Sequence, residues 1–236
     1  LEDPATGAWE IGVDEKAVAA LESLLFAKYQ MFRNVYWHHA VRSATALYKR
    51  IVDDAVASGI LDPEELVGPT DEELLYEIAR RAMEEDSPVA DRLSDRWIPA
   101  LRNRRLPKRA LELTAADLEG STLAPWVRED DGERRREVED ELALGLGLHP
   151  GEVLLDFPVK SRMFSLDVLV RRRSGAVQRL GHEGLRGVLD LPRVGEELYR
   201  TARVLRIYTF ERRDVDASYW TDRIFEVPSG ERSRGE

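Results

Sequence analysis

From Leu21 to Tyr48 apolar side chains recur at helical spacing with no proline or glycine among them. At about 100° per residue, Leu21, Leu25, Lys28, Phe32, Val35 and His39 share one stripe, while Phe26, Tyr29, Tyr36, Ala44 and Tyr48 cover the other sides. The pattern predicts one long helix from an N-cap at Asp14 to about Ser58, stopped by Gly59 and apolar almost all round. Such a helix is expected to be buried, either centrally or in an oligomer interface. A second helical block spans roughly Thr70 to Arg109, with Pro88, Pro99 and Pro107 each expected to end or kink a helix. Residues 114–132 are rich in acidic residues, glycine and proline and read as a loop, after which "ERRREVEDELALGLGL" reads as one more helix. Beyond "HPGE" the period changes. The runs "EVLLDFPV", "SLDVLVRRR" and "RVLRIYTFER" have the content of strands, "RSGAV" that of a turn, and residues 183–203 that of a helix. The expected fold is α+β and mainly α-helical: a long central helix and helical block followed by a small C-terminal antiparallel sheet with a helix. Its parts are a helical region at 1–113, a linker or loop at 114–132, a small α+β domain at 133–213 and a frayed tail at 214–236.

The chain has 236 residues and is 43% hydrophobic, enough for a sizeable core. With no cysteine it has neither disulfides, nor thiolate chemistry, nor cysteine-ligated metals. No stretch reaches the roughly 20 apolar residues of a membrane span, and the opening "LEDPATGAWE" lacks the features of a signal peptide, so a cytoplasmic protein with no membrane association is expected. A net charge of -10 argues against general nucleic-acid binding and makes any basic site a local one. The start at Leu1 suggests a fragment or a processed form.

Lys28, His38 and His39 stand out on so apolar a helix. A buried ammonium or imidazole needs a partner, which is either an internal carboxylate or an anionic ligand lying along the helix. Metal ligands on a helix sit four residues apart, and the residues four from His38 and His39 are Asn34, Arg42, Val35 and Ser43. No metal is therefore assigned to this chain, and no serine sits in a nucleophile elbow. Gly145 and Gly147 lack the lysine of a phosphate loop and read as a helix end. The run "RNRRLPKR" gathers Arg102, Arg104, Arg105, Lys108 and Arg109 around a proline. It suits either phosphate recognition or pairing with the chain's many carboxylates. "ERRREVEDE" reads as a solvated helix face.

The succession "FAKYQMFRNVYWHHAVRSATALYKRIVDDAV", "DEELLYEIARRA", "LRNRRLPKRALEL", "GEVLLDFPV" and "GVLDLPRVGEELYRTARVLRIYTFERR" resembles the C-terminal portion of HD-domain dNTP triphosphohydrolases. These comprise bacterial HD-superfamily phosphohydrolases and their animal relative, the sterile-alpha-motif HD dNTPase. The resemblance covers about residues 10 to 213. It implies that Lys28 faces the substrate triphosphate and that Tyr36 lies against the deoxyribose. His38 and His39 take the place of a His-Lys pair at an allosteric nucleotide site between subunits, which Arg104 also approaches. Phe32 stands where the animal enzyme has a histidine near the scissile phosphate. The implied partners are a dNTP or related nucleotide and further copies of the chain, as a dimer or tetramer, or an HD catalytic part.

The family holds its divalent metal, magnesium, manganese or similar, through a His, a His-Asp dipeptide and a later Asp, N-terminal to the region matched. This chain has no His-Asp dipeptide. It therefore carries no catalytic residue of its own in this reading, binds no cofactor alone, and supplies nucleotide-binding and assembly surfaces to a metal-dependent phosphohydrolase. The rival reading is a non-catalytic oligomeric scaffold or interaction protein built on the long helix.

Overall fold

The computed structural model describes residues 1–114, 116–118, 122–129, 131–158, 166–181, 184–185, 200, 202–213, 216 and 224–225. Its helices are α1 (Val18–Met31), α2 (His39–Ala57), α3 (Asp71–Ala82), α4 (Pro88–Asp91), α5 (Ile98–Arg102), α6 (Pro125–Glu129) and α7 (Gly132–Gly145). The strands are β1 (Gly12–Asp14), β2 (Lys108–Leu113), β3 (Val153–Asp156), β4 (Val168–Arg171), β5 (Val177–Leu180) and β6 (Leu205–Thr209). The fold is α+β and mainly helical. The chain divides into two compact units, residues 1–38 with 160–203 and residues 39–159 with 204–236.

In the first unit the strand order is β1-β4-β5, with β1 parallel to β4 and β4 antiparallel to β5. The β4–β5 turn closes with the Arg172 N–H donating to the Ala176 carbonyl (2.8 Å), at the "RSGAV" stretch expected to turn. Val18, Leu25, Tyr29 and Trp37 pack with Val170 and Leu180 into its core.

The second unit centres on the sheet β2-β6-β3, antiparallel throughout. Every residue of β3 and β6 is buried, because helices cover both faces. On one face Leu154 and Tyr208 join Leu47, Ile51, Ile78 and Trp97 of the helical block; on the other Val153, Leu155, Leu205 and Ile207 meet Val138 and Leu142 of α7. Gly151 has φ +78°, and a Cβ there would fall 2.2 Å from the Trp97 ring, so this position admits only glycine without displacing the indole.

Four expectations need correction. The single helix from Asp14 to Ser58 is two helices. A π turn at Phe32–Tyr36 follows α1, Trp37 leaves helical geometry at φ -105°, ψ 13°, and α2 starts at His39. The wide turn lets the Trp37 indole reach the first unit's core, edge-on to Phe32 at 5.6 Å. Nor is this segment buried all round, since Leu24 is 58% exposed and Phe26, Met31, Val35, Tyr36 and Val41 are exposed as well. At Pro99 the helix continues instead of breaking: residues 92–97 widen into a π turn, which accommodates a ring that has no N–H and crowds the preceding carbonyls. Finally, the sheets are not all C-terminal and antiparallel, because β1 and β2 come from the first half of the chain and β1 pairs in parallel. Most of the helix expected at 183–203 and most of the 214–236 tail lie outside the described residues.

Candidate functional site

In the first unit, Lys28 sits in the last turn of α1, half-buried, with no ion-pair partner among the described residues. Phe32 and Tyr36 follow it at four-residue steps, their ring centroids 5.0 Å apart. Tyr36 is 52% exposed, so its ring is partly open to solvent. Arg33 Nη1 donates to the Tyr29 hydroxyl at 3.4 Å, and His38 is exposed at the break that follows.

His39 and Arg104 belong to the second unit. His39 opens α2, and its carbonyl accepts a hydrogen bond from the Tyr208 hydroxyl at 2.9 Å. Tyr208 lies opposite Arg109 in the β6–β2 register. Ser43 Oγ donates to the Pro107 carbonyl at 2.7 Å, which fixes the basic run to the first turns of α2. Arg104 has φ +55°, the one non-glycine residue in the left-handed region among the described residues. Backbone hydrogen bonds from Arg104 N–H to Leu101 (3.1 Å) and from Arg105 N–H to Ala100 (2.8 Å) hold that conformation as the helix ends. Of the five cations, Arg102 pairs with Glu72 and Arg109 with Glu112. Arg104, Arg105 and Lys108 are exposed and have no ion-pair partner among the described residues. The corner is a rigid turn presenting three unneutralised cations. The five expected residues thus fall into two groups, Lys28, Tyr36 and His38 in one unit and His39 and Arg104 in the other.

The sequence reading missed a buried charge cluster in the second unit. Arg50 reaches Glu139 (3.0 Å), Asp140 (2.7 Å) and Asp54 (3.0 Å), and Arg135 bonds Asp53 at 2.7 Å. Glu139 also accepts the Leu155 N–H at 2.7 Å, and Asp140 the Gly151 N–H at 2.8 Å, so α2, α7 and β3 are joined through charges. Burial pushes the Glu139 carboxyl up to about 7 against the opposing pull of Arg50. Burial likewise raises Asp54. Burial also works against the charge of Arg50, but the surrounding carboxylates outweigh it and hold the guanidinium protonated. The "ERRREVEDE" helix is therefore not simply solvated, as Arg135 and Glu139 are buried. Nearer the corner, Arg42 forms a two-pronged pair with Asp156, its Nε donating at 2.8 Å.

Among the described residues no three His, Asp or Glu side chains gather so as to hold a metal. These residues do not fit the family's divalent ion, and no step through it is assigned to them. No helix among them is long and apolar enough to cross a membrane.

Residues 8–186 match the family described as HD associated region. The chain belongs to that family. Within it, the match runs from the N-terminal residues through both candidate groups and the β4–β5 hairpin. An uncharacterized protein of Methanocaldococcus jannaschii is 38% identical over 65 residues, which is 28% of this chain and 14% of that protein. The crystal structure of a phosphohydrolase from Bacteroides thetaiotaomicron is similar over 84% of this chain and 51% of that one, at 12% identity and a TM-score of 0.46. This HD-associated region thus spans about half the length of the solved relative and a smaller part of the archaeal one.

Proposed function

We propose that this HD-associated region is the C-terminal part of a deoxynucleoside triphosphate triphosphohydrolase, supplying nucleotide-binding and assembly surfaces to an HD domain that holds the metal. The observation that carries the reading is the corner at Arg104, Arg105 and Lys108, three cations with no ion-pair partner among the described residues, on a turn held by backbone hydrogen bonds in a chain of net charge -10. Cations left unneutralised among so many carboxylates suit a polyanionic ligand, and arginine forks match phosphate oxygens in bidentate fashion. In the first unit, half-buried Lys28 offers a further cation and exposed Tyr36 a ring against which a sugar can rest. In this reading His38 joins the nucleotide-binding residues of the first unit and His39 those of the second. An HD motif outside this chain would hold the divalent ion and supply metal-activated water for hydrolysis, while the residues of this chain bind and orient the nucleotide. Ala20, Leu24, Ala27, Met31 and Val35 form an exposed apolar stripe along α1 and its π turn, which suits assembly with further copies or with the HD part.

Calorimetric titration of a deoxynucleoside triphosphate into the chain joined to an HD segment tests the reading. Arg104→Ala and Lys28→Ala are each expected to weaken binding by about 1.5–3 kcal/mol, the range for a hydrogen bond to a charged group. Unchanged affinity in both variants overturns it. The 236-residue chain alone is expected to release no triphosphate from any dNTP with manganese, and metal-dependent turnover abolished by a point change within the chain would contradict that.

A further inference from the structure

Residues 62–77 carry seven carboxylates and no lysine or arginine. They surround an open groove of about 700 Å³ whose floor is Leu61, Pro69, Leu74 and Tyr76, with Glu65, Glu72, Glu73 and Glu77 on its rim. Two observations separate this groove from an ordinary acidic surface. Tyr76 is 62% exposed and makes no hydrogen bond or ring contact among the described residues, and beside the groove Val67 stands 87% exposed. The rim also already seats guanidinium groups: Arg81 forks onto Glu65 (2.6 and 2.8 Å) and reaches Glu77 (2.7 Å), while Arg102 comes in from the basic run to Glu72. The hydrogen bonds of Arg81 and, at Glu77, first those of Arg80 hold the Glu65 and Glu77 carboxyls down at about 2, so they stay ionised and paired, and the local charge is negative because the seven carboxylates of 62–77 outnumber Arg80, Arg81 and Arg102.

We infer that this groove binds a cationic segment of another protein, one carrying an aliphatic or aromatic side chain among arginines or lysines. The apolar side chain would cover Tyr76 and Pro69 while its charged neighbours meet the rim, the division of labour found in peptide grooves generally. Charge complementarity favours such a partner over a second copy. Two chains of net charge -10 repel. This surface is separate from the Arg104 corner, and its test uses no nucleotide, so it stands or fails apart from the nucleotide reading.

The test is fluorescence anisotropy of a labelled peptide alternating arginine with leucine, titrated with the whole chain, beside the same peptide with serine in place of leucine. Tyr76→Ser is expected to weaken binding of the leucine peptide about tenfold and to leave the serine peptide, already weaker, little changed. Glu72→Lys should also weaken it about tenfold, whereas Glu133→Lys, with the same change in net charge on exposed α7, should do so less than twofold. Circular dichroism of each variant checks that it folds. Equal losses in Glu72→Lys and Glu133→Lys, with none in Tyr76→Ser, would reduce the effect to general charge attraction and overturn the proposal. So would light scattering that finds a dimer of the wild type dissolved by Tyr76→Ser, since the groove would then be covered by a second copy.

Discussion

The helices α1 and α2 are nearly consecutive in sequence, yet they spend their apolar residues in opposite ways. In α2 the buried residues Ser43, Ala46, Leu47, Arg50, Ile51, Asp54 and Ala55 fall on one face, and its charged members are matched by α7. In α1, Val18, Leu25 and Tyr29 face the core, while a second apolar stripe through Leu24 and Met31 faces outward. A helix can thus be rich in apolar residues without being buried, and one bearing charges can be buried throughout one face. Apolar content predicts burial only when the positions converge on a single direction.

The contrast can be broken most forcefully at Arg50. Arg50→Ala leaves Glu139, Asp54 and Asp140 facing each other without their cation and is expected to destabilise the second unit by about 3–5 kcal/mol, read by urea unfolding. Leu47→Ala, on the same face and fully buried, should cost about 2–5 kcal/mol through lost burial and a residual cavity. The third expected effect is pH dependence. The folded pKa of Glu139, about 7, lies above its ordinary 4.5, so the stability this group contributes is complete below about 4.5 and is lost as pH rises through 7. Glu65 and Glu77, held near 2, act in the opposite sense, and their contribution is lost as pH falls from 4.5 towards 2. Thermal unfolding between about pH 5 and about pH 8 should show a declining midpoint that Glu139→Gln flattens. A midpoint that Glu139→Gln leaves unchanged across that window would mean the carboxylate is held ionised by Arg50 and the Leu155 N–H. The smallest change is expected on α1, where Leu24→Ser should shift stability by less than about 0.5 kcal/mol. A larger loss there would show that the outward stripe is covered in solution.

The strands β3 and β6 were legible because both faces of their sheet are covered, which makes most of their positions apolar, and α3 because Thr70 and Glu73 form a reciprocal capping box. The break at Trp37 was not, since no glycine, proline or polar turn residue marks it; its cause is the burial of one indole, a tertiary fact. The charge cluster left a trace that periodicity could have caught. Arg50 and Asp54 sit on the same stripe as Leu47 and Ile51, a place for charges only if another element answers them. Of the candidate site, the exposed cations of "RNRRLPKR" were visible as letters, whereas the left-handed backbone at Arg104, a residue with no preference for it, was not. Nor did the letters say which of the five cations would be neutralised, because Glu72 lies thirty residues away from Arg102.

The position of β6 has a consequence for how the molecule is made. It is the middle strand of its sheet, yet it arrives about fifty residues after β3 and about a hundred after β2, while the segment that completes the first unit is inserted between them. As the polypeptide leaves the ribosome, β2 and β3 must wait side by side with a gap where their shared neighbour belongs. Neither unit can close until translation has passed residue 203, so closure is deferred to the last part of synthesis, and until then two strand edges stand without the neighbour that pairs them.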